Sequence, residues 1–117
     1  MTPEEFFADK VLPKHLFTIV RQAVEAIGEV SIHVTKSQVA FRRQRTFACV
    51  WMPGQYVRGN TAPLVLTIFL PRHDTSRRWK EVVEPAPARF THHLELTDAA
   101  DLDEEVRGWL REAWQAA

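Results

Sequence analysis

The chain has 117 residues, of which 45% are hydrophobic and 26% are charged, and its formal net charge is zero. This composition is typical of one ordinary globular domain with a single hydrophobic core. No apolar run approaches the roughly 20 residues that a membrane helix needs, and the N-terminus carries acids where a signal peptide would carry lysines and an apolar core. We therefore expect one cytoplasmic domain over residues 1–117, without a membrane partner.

The N-terminal part of the chain predicts two helices. Thr2 can cap the first helix and Pro3 suits its first position, with acidic residues following at the positive end of the helix dipole. The second helix should open near Pro13 and end at Gly28, because apolar residues recur between them at helical spacing. This apolar stripe predicts that the second helix covers a sheet. Its members are Leu16, Ile19, Val20, Ala23 and Ile27.

The middle of the chain predicts a series of strands. Residues 30–35 and 36–42 alternate between apolar and polar side chains, which is typical of half-buried strands. Residues 46–52 are apolar on both faces, so this strand should lie inside the sheet with cover on each side. Residues 64–70 and 90–96 predict two further strands.

The segment 71–89 interrupts this series, because it combines three prolines with five basic residues. We predict a loop here, with a short ordered piece from Trp79 to Val83, and we expect it to be the most mobile segment. Trp79 follows two arginines and could stack on a base, although an aromatic side chain that pins the loop to the core is the commoner case.

The C-terminal residues predict a closing helix that is capped by Asp98 or Asp101. Its apolar stripe consists of Leu102, Val106, Trp109, Leu110 and Ala113. Short links between the strands and the lack of a βαβ alternation indicate antiparallel pairing. The predicted fold is therefore α+β: a single domain with an antiparallel sheet of about five strands, against which two N-terminal helices and one C-terminal helix pack.

The neutral charge hides a polarity along the chain. Residues 1–35 carry a net charge of −2, residues 36–89 carry +7 and residues 90–117 carry −5. The basic middle and the acidic last helix can attract each other within the fold, or the basic face can attract an anionic partner. The sequence leaves both alternatives open.

Motifs for metal, phosphate or nucleophilic chemistry are missing from the sequence. The five histidines lack a zinc-like spacing, no glycine-rich loop occurs, and no serine elbow occurs. The single Cys49 lies in an apolar strand and is more typical of a small buried side chain than of a nucleophile. We predict no catalytic residue, no metal and no cofactor.

A basic rim beside the buried strand is the remaining candidate site. Guanidinium groups next to a core favour the bidentate recognition of anions. We predict that an anionic small molecule or an acidic protein segment binds there, with nucleic acid as the alternative partner of the basic middle segment. A third hypothesis, hydrolase or transferase chemistry, depends on His92, an ionisable group that is in phase with apolar neighbours. The predicted ligand-binding residues are Lys36, Gln38, Arg43, Arg45 and His92.

Three stretches of the sequence stand out together: KSQVAFRRQRTFA, DTSRRWKEVVEP and RFTHHLELTDAADLDEEVRGWLREAW. They resemble an uncharacterised bacterial domain family of unknown function, whose members are sometimes labelled predicted transport proteins. The family pattern Lys-(Thr or Ser)-x-(Ile or Val)-Ala-Phe matches Lys36 to Phe41, and its Phe-x-His-x-(Phe or Leu) strand matches Phe90 to Leu94. The resemblance implies a fold akin to the YdhG-like α+β domains and implies no activity.

By position, the resemblance places Lys36, Phe41 and Arg45 at the basic and aromatic strand residues of the family and His92 at its strand histidine. Assembly is a separate question, and it depends on Trp114 near the edge of the last apolar stripe. This indole either packs beneath Phe6 and Phe7 in a monomer or remains outside and supports a weak homodimer.

Overall fold

A six-stranded antiparallel sheet with three helices forms the architecture, and the computed structural model describes all residues 1–117. The strands lie in the order β1-β2-β3-β4-β6-β5, and every neighbouring pair is antiparallel. The predicted α+β class is confirmed. The helices are α1 (Pro3–Phe7), α2 (Val11–Glu25) and α3 (Glu104–Ala116), and the strands are β1 (Ser31–Val34), β2 (Val39–Arg42), β3 (Thr46–Trp51), β4 (Leu64–Leu70), β5 (Glu81–Ala86) and β6 (Arg89–Leu96).

The helices begin where local capping allows them to begin. The Thr2 hydroxyl accepts a hydrogen bond from the Glu5 N–H at 3.1 Å, and the Glu5 carboxylate accepts from the Thr2 N–H at 2.9 Å, which completes the expected cap of α1. Helix α2 starts before Pro13, within a first turn whose N–H groups need no helical partner, and it ends at Glu25 rather than at Gly28. None of the three helices is both long and apolar enough to cross a membrane.

The cap of α3 is Asp103, so the prediction of Asp98 or Asp101 was wrong. The Asp103 carboxylate accepts from the Val106 N–H at 3.1 Å. Asp98 instead caps a short 3-10 helix, Ala99–Asp101, that precedes α3. Asp101 is the last residue of this 3-10 helix, and its carboxylate accepts from the Asp98 N–H at 3.1 Å, so α3 begins only after it.

One cluster of buried apolar side chains joins the three helices to one face of the sheet. Helix α2 contributes Leu16 and Phe17, and the Phe17 ring stacks on Phe41 of β2 with 6.1 Å between centroids. The predicted stripe of the last helix is buried as expected: Leu102, Val106, Trp109, Leu110 and Ala113 are all in the core. This packing leaves the ends of the strands and the other face of the sheet available for sites.

The segment between β4 and β6 is more ordered than the sequence indicates. Residues 81–86 form the edge strand β5, which pairs with β6, so the sheet has six strands instead of about five. Trp79 is buried, its Nε1 donates to the Asp74 carboxylate at 2.8 Å, and its ring lies 4.2 Å from Trp109. The expectation that Trp79 pins this segment to the core is confirmed.

Candidate functional site

The five predicted ligand-binding residues lie in three different places. Lys36 and Gln38 belong to the turn between β1 and β2, which is closed by a 2.9 Å bond from the Thr35 N–H to the Gln38 carbonyl. Arg43 and Arg45 follow the opposite end of β2. A four-residue strand spans about 13 Å, so these two pairs cannot contact one small ligand.

His92 is the fifth predicted residue, and it is fully buried in the core. Its Nε2 accepts a hydrogen bond from the Asp74 N–H at 3.0 Å, so Nδ1 carries the proton and donates to the Phe90 carbonyl at 3.1 Å. Burial lowers the pKa of this imidazole, against the opposing effects of the Phe90 carbonyl and the Asp74 charge. Both nitrogens are satisfied by backbone groups, so the ring is available neither to a ligand nor to the catalytic role that was considered for it.

Arg43 is used to attach the end of α3 to the sheet. Its guanidinium lies 3.9 Å from the centroid of the Trp114 ring and donates to the Trp114 carbonyl at 3.1 Å. The Trp114 indole donates in turn to the Glu29 carbonyl at 2.9 Å. A cation over an indole and at the C-terminal end of a helix is favourable on both counts, so this arginine stabilises the fold. Trp114 therefore packs against Glu29 and Arg43.

The basic middle segment pairs with the acidic last helix at two further places. Arg72 makes two 2.8 Å bonds to Glu112, and Arg78 contacts both Asp103 and Glu105 at 2.8–2.9 Å. The Arg78 guanidinium lowers the pKa of Asp103, because it stabilises the ionised carboxylate. Arg72 and Arg78, two of the ten basic residues of segment 36–89, are thus paired within the molecule.

Arg45 lines an open groove at the end of the sheet, together with Arg89, which the sequence did not single out. The groove has a volume of about 390 Å³ and is bounded by β3, the end of β4, the β5–β6 hairpin and the end of α3. Its exposed apolar walls include Phe69, Pro87 and Ala116. We call this the arginine groove.

Neither arginine of the arginine groove has an ion-pair partner in the structure. Arg45 makes only a long 3.4 Å contact to the Ala116 carbonyl, and the Arg89 guanidinium lies 4.7 Å from the centroid of Phe69. Sequence reasoning missed Arg89 because it opens β6, far along the chain from Arg45. Only the insertion of β6 beside β4 brings it near the end of β3.

Comparison with known proteins gives a family and no activity. The model of a domain of unknown function, DUF5655, matches residues 4–117. No curated protein and no solved structure matches the chain. The match covers nearly every residue, from the capped α1 to the end of α3, and confirms the resemblance to an uncharacterised domain family. The chain belongs to the DUF5655 family of domains of unknown function.

Proposed function

We propose that the protein is a non-enzymatic binding domain that holds an anionic small molecule in the arginine groove. The observation that carries this proposal is the presence of two guanidinium groups, Arg45 and Arg89, in one apolar groove without a carboxylate partner. Each guanidinium group has five N–H donors. Two of these donors can bind two oxygens of one carboxylate or phosphate group at the same time.

The walls of the arginine groove add a second requirement for the ligand. Phe69, Pro87 and Ala116 present apolar surface, and the volume of about 390 Å³ falls within the range of small-molecule sites. A ligand that combines an anionic head with an apolar body would satisfy both the arginines and the walls. Inorganic phosphate or sulfate would satisfy the arginines alone and should bind more weakly.

The other partners considered for the basic rim have less support from the geometry. Arg72 and Arg78 contact acids of α3 or its N-cap, and Arg43 contacts Trp114, so these three cations are not free for a phosphate backbone. An acidic protein segment could still place one carboxylate in the arginine groove. A cytoplasmic location stays a prediction.

Ligand titration tests the proposal. We expect 3-phenylpropionate and octanoate at millimolar concentrations to raise the melting temperature and to shift NMR signals of residues 86–89 and 113–117, whereas the neutral amide of 3-phenylpropionate should not. Loss of one charge-assisted hydrogen-bonding partner costs about 1.5–3 kcal/mol, so Arg45→Ala or Arg89→Ala should weaken binding at least about tenfold. Any affinity tag belongs at the N-terminus, because Ala117 lines the groove.

Arg77→Ala is the matched control, because Arg77 is an exposed arginine outside the arginine groove. It should leave binding unchanged. The proposal fails if no anion binds at millimolar concentrations, or if Arg77→Ala weakens binding as much as Arg45→Ala does. Binding of an acidic peptide or of RNA that exceeds that of both carboxylates would assign the arginine groove to a macromolecular partner instead.

A further inference from the structure

A second groove lies on the face of the sheet that the three helices leave uncovered. The register of the strands aligns Cys49, Thr67, His93 and Glu81 across β3, β4, β6 and β5 on this face. The groove has a volume of about 470 Å³, and the segment that connects β3 to β4 forms its other side. We call it the sheet-face groove. Its sheet side is formed by Trp51, Val65, Lys80, Glu81, His93 and Glu95.

A chain of hydrogen bonds fixes the imidazole in the sheet-face groove. An indole N–H can only donate, so Trp51 donates to the Thr67 hydroxyl at 2.9 Å, and this hydroxyl lies 2.7 Å from Nδ1 of His93. The other ring nitrogen, Nε2, has no partner within the protein, and every buried polar side-chain atom has one. Nε2 is therefore exposed to the groove, and it is an acceptor when the proton is on Nδ1.

The charges around this imidazole favour a cation. Glu81 and Glu95 contribute two negative charges and Lys80 one positive charge, so the groove has a net charge of −1. Lys80 pairs with Glu95 at 3.4 Å, whereas Glu81 has no cationic partner. Burial lowers the pKa of His93, although Glu81 opposes this effect, so the ring is neutral near pH 7.

Aromatic rings complete the same environment. Trp51 lines the groove, with His93 at 6.0 Å and Tyr56 at 6.3 Å between ring centroids. Indole rings attract ammonium groups through their electron-rich faces, and the effect grows when the cation is partly removed from water. An aromatic wall, a free carboxylate and an imidazole held in place by Thr67 together match a positively charged amine.

We propose that the sheet-face groove binds an organic ammonium ion that carries an aromatic or apolar body. Glu81 neutralises the charge, and Trp51 contacts the body and the cationic head. His93 takes the tautomer whose Nδ1–H donates to Thr67, so that Nε2 accepts a hydrogen bond from a primary ammonium. Thr67 acts as a positioning residue, because its hydroxyl holds the imidazole ring in place. This site is separate from the arginine groove and does not depend on the proposed anion.

Phenethylamine, benzyltrimethylammonium and the neutral isostere 2-phenylethanol are the probes that test this proposal by NMR titration. We expect both cations to shift the signals of Trp51, Glu81 and His93, and we expect 2-phenylethanol to bind at least about fivefold more weakly, as the loss of about 1 kcal/mol from one charge interaction predicts. Glu81→Gln should weaken the binding of both cations by a similar factor.

Two variants give matched controls. Glu84→Gln changes an exposed acid of the same strand outside the sheet-face groove and should have no effect. His93→Leu should weaken the binding of phenethylamine. It should not weaken the binding of benzyltrimethylammonium, because this cation has no N–H to donate. The proposal is overturned if no cation binds at millimolar concentrations, if 2-phenylethanol binds as well as the cations do, or if Glu84→Gln has the same effect as Glu81→Gln.

Discussion

His92 shows how one buried polar side chain determines the structure around it. The centroid of the imidazole ring lies 4.7 Å from that of the Trp79 ring, and the imidazole accepts a hydrogen bond from the Asp74 N–H. Burial would raise the pKa of Asp74, but hydrogen bonds from Trp79 and Arg72 outweigh this effect and lower it. Asp74 thus stays ionised while His92 stays neutral, and together they attach the segment before β5 to the core.

This arrangement predicts a loss of stability in mild acid. The pKa of His92 in the fold lies below its ordinary value of 6.5, so below that pH the unfolded chain binds a proton that the folded chain does not. The free energy of unfolding should therefore fall from about pH 7.5 to about pH 5, and His93 adds to the effect with the same sign. Urea denaturation at several pH values measures it.

The variant His92→Leu separates the two effects of this histidine. At pH 7 it should lower the free energy of unfolding by about 1–3 kcal/mol, because the Asp74 N–H loses its acceptor inside the protein. Its dependence on pH should be shallower than that of the wild type. His15→Gln, a change of an exposed histidine on α2, should leave the dependence unchanged. An equal pH dependence in wild type and His92→Leu would contradict this account.

Helix α3 is the element on which most of the side-chain pairing converges. Its N-cap Asp103 contacts Arg78, Glu112 contacts Arg72, and its end contacts Arg43 through Trp114. At that end the chain fits closely, because a β-carbon added to Gly28 would lie 2.5 Å from Cζ2 of Trp114. Gly28 is therefore required for the position of Trp114 and not for ending a helix.

Two glycine substitutions test this fit. Gly28→Ala should lower the free energy of unfolding by about 1–3 kcal/mol, because the new methyl group overlaps the indole ring. Gly108→Ala is the control: it lies within α3 with nothing within 4 Å of the added carbon, so it should stabilise the protein by about 0.5–1 kcal/mol. Chemical denaturation measures the free energy of unfolding of both variants and shows whether each is lower or higher than that of the wild type. Equal effects would show that the indole does not need the space at Gly28.

The sequence predicted most elements of this fold and little of its sites, for physical reasons. The sequence predicts strands β3 and β4 because both are buried in the sheet and therefore consist mainly of apolar residues. Strand β5 was missed because it is an edge strand, where Pro85 and exposed acids are tolerated. Arg43, Arg45 and His92 were found by their types, but pairing across the fold decides which of them is free, and local patterns do not contain that information.

At the scale of the whole molecule, the basic middle and the acidic end of the chain contact each other through ion pairs. Arg72 and Arg78 contact acids of α3 and its N-cap, so internal complementarity accounts for part of the polarity along the chain. Trp114 lies half-buried against Gly28, Glu29 and Arg43, so its ring has cover within its own chain. This cover favours a monomer over the weak homodimer that an exposed indole would support.

Light scattering tests the oligomeric state. We expect a monomeric mass for the wild type and for Trp114→Ala, and we expect the variant to lose about 3 kcal/mol of stability, because truncating the indole removes its packing and the bond to Glu29. Gln115→Ala changes the exposed neighbouring residue and should alter neither quantity. A wild-type dimer that dissociates in Trp114→Ala with little loss of stability would place the indole at an interface between copies.

Strand β6 completes the sheet between β4 and β5, although both of its neighbours precede it in the chain. During synthesis β4 therefore leaves the ribosome before the partner that covers its edge. Its sequence, LVLTIFL, has no charge, glycine or proline, which is the signature of segments that assemble into cross-β fibrils. A delay after β4 has emerged and before β6 has emerged would leave this edge of β4 unpaired, so slow emergence over that interval should favour aggregation over folding.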